Sequence, residues 1–412
     1  MRVQKRKQIR ITVVNMMQLY IVIMLLGISI RTYITHSITI VWIINSLGLI
    51  GLFSVFLRSI STVTVKNATI YIGFCIITFL INYNYFNGSI KSIGTNINII
   101  IVPFYCFLID HISKTKPFTN YELGKLLSFI SLLGVITLLY SWISNYHDIL
   151  GIFNGSIRVY RASVAGFFYG KNIYGAFISL TLASDLFLYE EDHSKKRIWI
   201  ILLKVIAVTI SFSRAALLQM CIMLIVFVWT KRRHSFKQWM LLFFAIIIGA
   251  IIVIILARNN RITDFFTNSV FRVSSGDAGR AHLRKQALER VGFNPIKILF
   301  GVGFSGMDSL NIDVDNTYLY LLFSGGLLKI LFMVYYLHLS IKNINTSKTE
   351  HTILYRICIS VLISYFAFAY FESVALLELG LLNFIYTFYV FFLPCGYGIS
   401  RDISLDGEIV YE

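Results

Sequence analysis

Apolar residues in this chain come in blocks. Most run to roughly 18–22 residues, the length an α-helix needs to cross about 30 Å of hydrocarbon at 1.5 Å per residue. Twelve such blocks are readable, at 11–30, 38–57, 68–82, 93–112, 122–144, 173–189, 198–212, 214–229, 239–257, 316–339, 353–372 and 376–394. Two of them, 68–82 and 198–212, are short for a crossing and imply merging or tilting. The pattern predicts an all-α, polytopic integral membrane protein with about twelve transmembrane helices, forming one transmembrane domain over residues 1–412. The polar stretch 258–315 interrupts it and predicts a large loop with short amphipathic helices. The first block lacks a small-residue cleavage site, so it is expected to be a first span rather than a removable signal.

Charge orients the blocks, because cytoplasmic loops are enriched in Lys and Arg. The N-terminal segment carries Arg2, Lys5, Arg6, Lys7 and Arg10. With that end inside, later inner loops hold Lys195, Lys196 and Arg197, then Lys231, Arg232, Arg233 and Lys237. Trp199, Trp229 and Trp239 fall at the same ends, as an interfacial aromatic belt would. Both termini are then expected in the cytoplasm. Two outer segments oppose the bias. Residues 145–172 carry Arg158, Arg161 and Lys171, and residues 258–315 carry Arg258, Arg261, Arg272, Arg280, Arg284, Lys285, Arg290 and Lys297. Long loops translocate whatever their charge, so the excess has either no cause or a functional one.

Composition agrees with the blocks: 57% of the 412 residues are hydrophobic, above the ~45–50% of a soluble domain, and the mean hydropathy is +0.73. A net charge of +17 would point to nucleic acid in a soluble protein. Here much of it follows from topology, and no nucleic-acid partner is expected. Cys75, Cys106, Cys221, Cys358 and Cys395 lie in or beside apolar stretches without metal-ligand spacing, and are expected to be small buried hydrophobes. No metal site and no cofactor are expected.

Four segments carry candidate chemistry. The first holds Arg158 and Arg161, then Lys171 and Asn172 at the outer mouth of a span, with Asn172 a candidate N-cap. Arginine offers a planar fork of donors suited to phosphate oxygens, although interfacial cations also snorkel to lipid headgroups. The second, Ser211-Phe-Ser213-Arg214, is a tight turn with Arg214 opening the next helix. A cation there is unfavourable for the helix itself but builds an anion site. The third is an amphipathic helix near 278–291, with Ser275 or Asp277 as cap, Leu283, Ala287, Leu288 and Val291 on one face, and Arg280 and Arg284 four residues apart. The fourth runs from Gly301 and Gly303 to Asp315 and Asn316. Two glycines are a weak phosphate-loop signal. Asp315, at the mouth of a span, is a candidate for general base or for helix cap.

In order, Gly166-x-x-x-Gly170-Lys171-Asn172-x-x-Gly175, Ser211-x-Ser213-Arg214, Gly279-Arg280, Gly301-x-Gly303 and Asp315-Asn316-x-Tyr-Leu before Gly325-Gly326 resemble the O-antigen ligase and polysaccharide polymerase family of membrane glycosyltransferases, over roughly residues 150–330. The resemblance implies a GT-C-like helical enzyme in the bacterial plasma membrane, its active site facing outside. Such an enzyme transfers glycan from a polyprenyl diphosphate to a sugar hydroxyl, without metal and with inversion at the anomeric carbon. Arg280, Arg214 and the Arg158/Arg161 pair are then candidates to hold the diphosphate, with Lys171, Asn172, Arg284 and Asn316 as further substrate-binding residues and Asp315 as base. Ligases typically carry His–Asn where this chain has Asp315-Asn316, a departure that favours a repeat-unit polymerase. The implied partners are lipid-linked oligosaccharides, membrane lipids, chain-length regulators and flippases.

A ligase is the competitor within this class, and a flippase of lipid-linked oligosaccharide the competitor outside it. Lys204 and Lys329 lie inside spans, where charge often marks a translocation path. The topology is testable directly. A cysteine placed at Asn268 should react with an impermeant thiol reagent in intact cells; labelling only in inverted vesicles would reverse the orientation.

Overall fold

The computed structural model describes residues 12–36, 38–54, 90–153, 164–231, 278–292, 294–312, 314–350, 352–378 and 380–398, with scattered positions between 65 and 80. The span expected at 239–257, most of that at 68–82, Cys75, Arg158, Arg161, Ser275, Asp277 and Asp313 lie outside the described residues. Those described fold into helices: α1 (Val13–Ile30), α2 (Ile38–Ser54), α3 (Ile90–Thr115), α4 (Asn120–Ser144), α5 (Tyr146–Phe153), α6 (Lys171–Asp192), α7 (Lys195–Ile210), α8 (Arg214–Trp229), α9 (Ala278–Val291), α10 (Pro295–Phe300), α11 (Gly303–Ser309), α12 (Thr317–Glu350), α13 (Thr352–Phe371) and α14 (Leu381–Gly396). Among them there is no strand, only an isolated bridge between Phe118 and Tyr397. Four helical segments, Val13–Thr35, Asn120–Ser144, Thr317–Asn345 and Thr352–Phe371, are long and apolar enough to cross a membrane.

Two helices form the centre. In α6 every residue from Tyr174 to Leu188 is buried, and α14 is buried on all sides apart from Asn383. A helix apolar all round belongs in an interior. The surrounding helices show the reverse of a soluble protein, for their outward faces are apolar too. Ile143 on α4 leaves 77% of its surface uncovered, and Leu26, Leu47, Ile225 and Leu331 are similarly open. Water would penalise such a surface and lipid does not, so the chain is membrane-embedded. This also accounts for a difference in the cysteines. Cys106, Cys358 and Cys395 are buried as expected, but Cys221 is exposed on α8, where a small apolar group facing lipid costs nothing.

Lipid gives helices no hydrophobic reason to associate, so close packing and polar contacts must hold them. A Cβ on Gly175 of α6 would come within 2.8 Å of Ala216 and 2.9 Å of Ser211, so the turn before α8 sits directly on α6. The Ser184 and Tyr389 hydroxyls meet at 2.6 Å, joining the two central helices. At one end of the bundle, the Arg356 guanidinium donates to the Phe227 carbonyl at 3.0 and 3.1 Å and pairs with Glu190 at 3.0 Å, binding α13 to α8 and α6. Trp199 and Trp229 are exposed at that same end.

Two departures from the expected spans matter. The last block begins its helix at Leu381, not at 376, because residues 372–378 run non-helically into the protein. Bare backbone at membrane depth survives only when its polar groups are satisfied inside the protein. Here the Tyr365 hydroxyl donates to the Val374 carbonyl at 3.0 Å, the Leu377 amide to the Thr387 hydroxyl at 3.0 Å, and the Tyr105 hydroxyl to the Glu378 carbonyl at 3.3 Å. The second departure is a break in α12 at Gly326, which has φ +70° and ψ −170°. Gly301 and Gly326 let two backbones meet there. A Cβ on Gly301 would lie 2.6 Å from the Phe323 carbonyl oxygen, one on Gly326 would collide with the Leu299 carbonyl, and the Val302 amide donates to the Phe323 carbonyl at 2.7 Å. Gly301, one of the two glycines read as a weak phosphate-loop signal, thus seats the end of α10 against the broken helix.

Both intramembrane lysines are paired. Lys204, fully buried on α7, donates to Asp185 of α6 at 2.6 Å and to the Ser131 hydroxyl at 3.3 Å, while Arg197 reaches the other Asp185 oxygen at 3.4 Å. Lys329 pairs with Glu378, whose second oxygen accepts from the Tyr320 hydroxyl at 3.0 Å, and also donates to the Ser324 hydroxyl at 3.0 Å. Removing one member of a buried pair leaves an uncompensated charge, at about 3–5 kcal/mol, whereas replacing both with apolar groups is often neutral. Lys204→Met alone should therefore lower the melting temperature of the detergent-purified protein sharply. Lys204→Met with Asp185→Leu should recover most of the loss; equal loss in both would place the stability elsewhere.

Candidate functional site

The end of the bundle opposite Arg356 gathers the N-termini of α6, α8 and α12 and the C-terminus of α13. Each start has a local cause. Ser213 caps α8, its hydroxyl accepting from the Ala216 amide at 3.3 Å. Asn316 caps α12, its side-chain oxygen accepting from the Leu319 amide at 3.0 Å. The cap of α12 is thus Asn316 and not Asp315, which stands half-buried in the bend just before it. At α6 the N-cap is Gly170 in extended conformation, without a side-chain bond, and the helix starts at Lys171. Asn172 is therefore inside the first turn and not its cap, which corrects the expectation from sequence.

The freed Asn172 amide points elsewhere. It donates at 2.6 Å to a carboxylate oxygen of Glu372, the residue that follows α13. The Glu372 carbonyl accepts from the Thr317 hydroxyl at 2.6 Å, and the same hydroxyl accepts from the Val374 amide at 2.9 Å. Asn316 uses its amide on the Tyr370 carbonyl at 2.8 Å. Arg284, from α9, lies over the Tyr370 ring with its guanidinium carbon 4.8 Å from the centroid. It donates to the Tyr370 hydroxyl at 3.3 Å and carbonyl at 3.4 Å. The strip Tyr370–Glu372 is thus the common partner of Asn172, Arg284, Asn316 and Thr317, which come from three separate helices.

Aromatic residues extend the strip towards α1. The Arg31 guanidinium stacks 3.8 Å from the centroid of the Tyr169 ring. The loop carrying Tyr169 is anchored by the Thr32 hydroxyl on the Phe167 carbonyl at 3.1 Å and the Tyr33 hydroxyl on the Gly166 carbonyl at 2.6 Å. Tyr169 keeps 52% of its surface open, yet packing around its hydroxyl raises its pKa, against the pull of Arg31, with Glu372 adding a smaller upward push. Its phenol therefore stays protonated and can donate at neutral pH.

Of the residues selected from sequence, Asn172, Arg284 and Asn316 meet on the strip, with Lys171 and Asp315 their chain neighbours. Arg214 is exposed at the start of α8, on the turn seated against Gly175, one turn along α6 from Lys171. Arg280 lies one turn before Arg284 on the α9 backbone. The α9 helix itself has Ala287 and Val291 buried, packed with Val302, Met307, Ile312, Val314 and Phe323, while Leu283 of the expected apolar face stays exposed. Among the described residues no three His, Cys, Asp or Glu side chains gather as a metal site would require.

Sequence reasoning missed Glu372, Thr317 and Tyr370. One signal for Glu372 was present: a carboxylate at a helix C-terminus opposes the dipole and calls for a partner. The Thr317 hydroxyl bonds both the Glu372 carbonyl and the Val374 amide, which also meet each other at 3.1 Å, so losing it removes two hydrogen bonds worth roughly 0.5–1.5 kcal/mol each. Thr317→Val should lower thermal stability by that order and increase proteolysis near residue 374; an unchanged melting curve would show that the strip is held by other contacts.

Compared with known proteins, the chain matches no family model, no curated protein and no solved structure.

Proposed function

We propose that this chain is a polymerase of lipid-linked oligosaccharide repeat units, moving a glycan from a polyprenyl diphosphate to an acceptor sugar hydroxyl at the outer face of a bacterial plasma membrane. The observation that carries the reading is the convergence on one short strip. Asn172 and Asn316 belong to two of the ordered motifs that resemble those of polysaccharide polymerases, and Arg284 lies four residues after Arg280 of a third; they are up to 144 residues apart in sequence and between them contact Tyr370 and Glu372. Arg214, from another of these motifs, opens a helix at the same end.

The chemistry asked of such a site fits its contents. A departing lipid diphosphate develops negative charge on phosphate oxygens, and preorganised cations and helix N-termini stabilise charge where it appears. Lys171, Arg214, Arg280 and Arg284 supply the cations, with Arg158 and Arg161 as the sequence's further candidates. A carboxylate must take the acceptor proton, and Asp315 and Glu372 both stand at this end. The transporter reading drew on Lys204 and Lys329, which pair with Asp185 and Glu378.

Reconstitution with lipid-linked repeat units should give a ladder of products, where a ligase would give a single transfer to a different acceptor. Arg214→Ala and Arg280→Ala should each lower the rate by about 10²-fold or more at normal membrane insertion, by analogy with removal of one charge-stabilising donor. Lysine at either position should restore only part, because an ammonium lacks the bidentate fork. Full activity in an alanine variant would remove that arginine from the site.

A further inference from the structure

We infer that Glu372 is the general base of this site, the group that takes the proton from the acceptor hydroxyl; the assignment rests on the polymerase reading above. Glu372 is placed by two independent bonds from distant helices. Its carbonyl is pinned by Thr317 at the start of α12, and its carboxylate by Asn172 in the first turn of α6, 200 residues away in sequence. The residue is half-buried, so the carboxylate is held in position and partly withdrawn from solvent without being sealed off. The groups around it are suited to a sugar: the Tyr169 phenol beside Arg31, and the Asn316 and Arg284 side chains on the adjoining Tyr370.

Position relative to the helix ends separates it from Asp315, the other carboxylate at this end. Asp315 stands in the bend just before the N-terminus of α12. Glu372 follows the C-terminus of α13, where the partial negative charge favours uptake of a proton. Asn172 donates a hydrogen bond to the carboxylate and so aims it. In the step assigned, the acceptor O–H proton passes to Glu372 while the acceptor oxygen bonds to the anomeric carbon. The bond from that carbon to the diphosphate oxygen breaks, its electron pair leaving with the polyprenyl diphosphate, and Glu372 afterwards releases its proton to water.

The test is steady-state kinetics on the reconstituted full chain with a lipid-linked repeat unit. Glu372→Gln keeps the size and the acceptor oxygen for Asn172, and should lower kcat by about 10²–10⁴-fold with little change in the donor KM. Glu372→Asp, which retracts the carboxylate, should give an intermediate kcat at normal protein yield. Asp315→Asn should lose less than Glu372→Gln. Near wild-type kcat in Glu372→Gln overturns the assignment, as does a large loss confined to Asp315→Asn. A loss in Glu372→Gln that appears in KM alone also overturns it, since that marks a binding residue. If the wild-type chain forms no polymer while it is folded and inserted, the polymerase reading fails and the base falls with it.

Discussion

The need to satisfy backbone polar groups away from water governs this molecule more than any other constraint. After α13 the chain abandons the helix over residues 372–378 while remaining largely buried. Each amide and carbonyl there has to find a partner that a helix would have provided for nothing. Thr317, Tyr365, Tyr105 and Thr387 answer that need from four helices. Leu377 even takes a left-handed φ of +59°, a conformation uncommon for a side chain of its size, which persists only where the surroundings dictate it. The same bonds that make the irregular strip tolerable hold Glu372 in place beside Asn172. The candidate site is thus a by-product of solving a packing problem.

Buried charge obeys the same logic. Asp185 with Lys204 and Glu378 with Lys329 are arranged so that further polar atoms complete each pair. The second pair ties the irregular strip to α12 just beyond its break at Gly326. The break is itself filled by the backbone of α10, whose residues approach as closely as two glycines allow.

How much of this was legible depends on the kind of interaction. Apolar helices were readable because lipid permits a chain crossing it almost nothing but continuous helices, so hydropathy reports them directly; α4, α8 and α13 lie within two residues of the expected limits of their blocks. The start of α14 was not, since Val374-Ala-Leu-Leu377 is equally apolar whether helical or threaded between other helices. In the site, the chemistry-bearing Asn172 and Asn316 stood out by residue type and position. Their partners did not, because a contact between positions 172 and 372 leaves no periodic trace in either segment. Likewise Lys329 was visible as a charge in a span, but its carboxylate lay 49 residues downstream, past a whole helix.

That separation bears on how the protein is made. Asp185 is synthesised 19 residues before Lys204, on the preceding helix, so the two can enter the bilayer together as a neutral hairpin. Lys329 leaves the ribosome without its counter-charge. At about 5–20 residues per second, Glu378 follows roughly 2–10 s later, and over that interval a lone lysine in a membrane helix costs about 2.5–3.5 kcal/mol on translocon scales. Nascent α12 must therefore linger at the insertion machinery, or snorkel towards an interface, until α13 and the strip after it arrive. The pairing of Lys329 thus waits on a glutamate made one helix later.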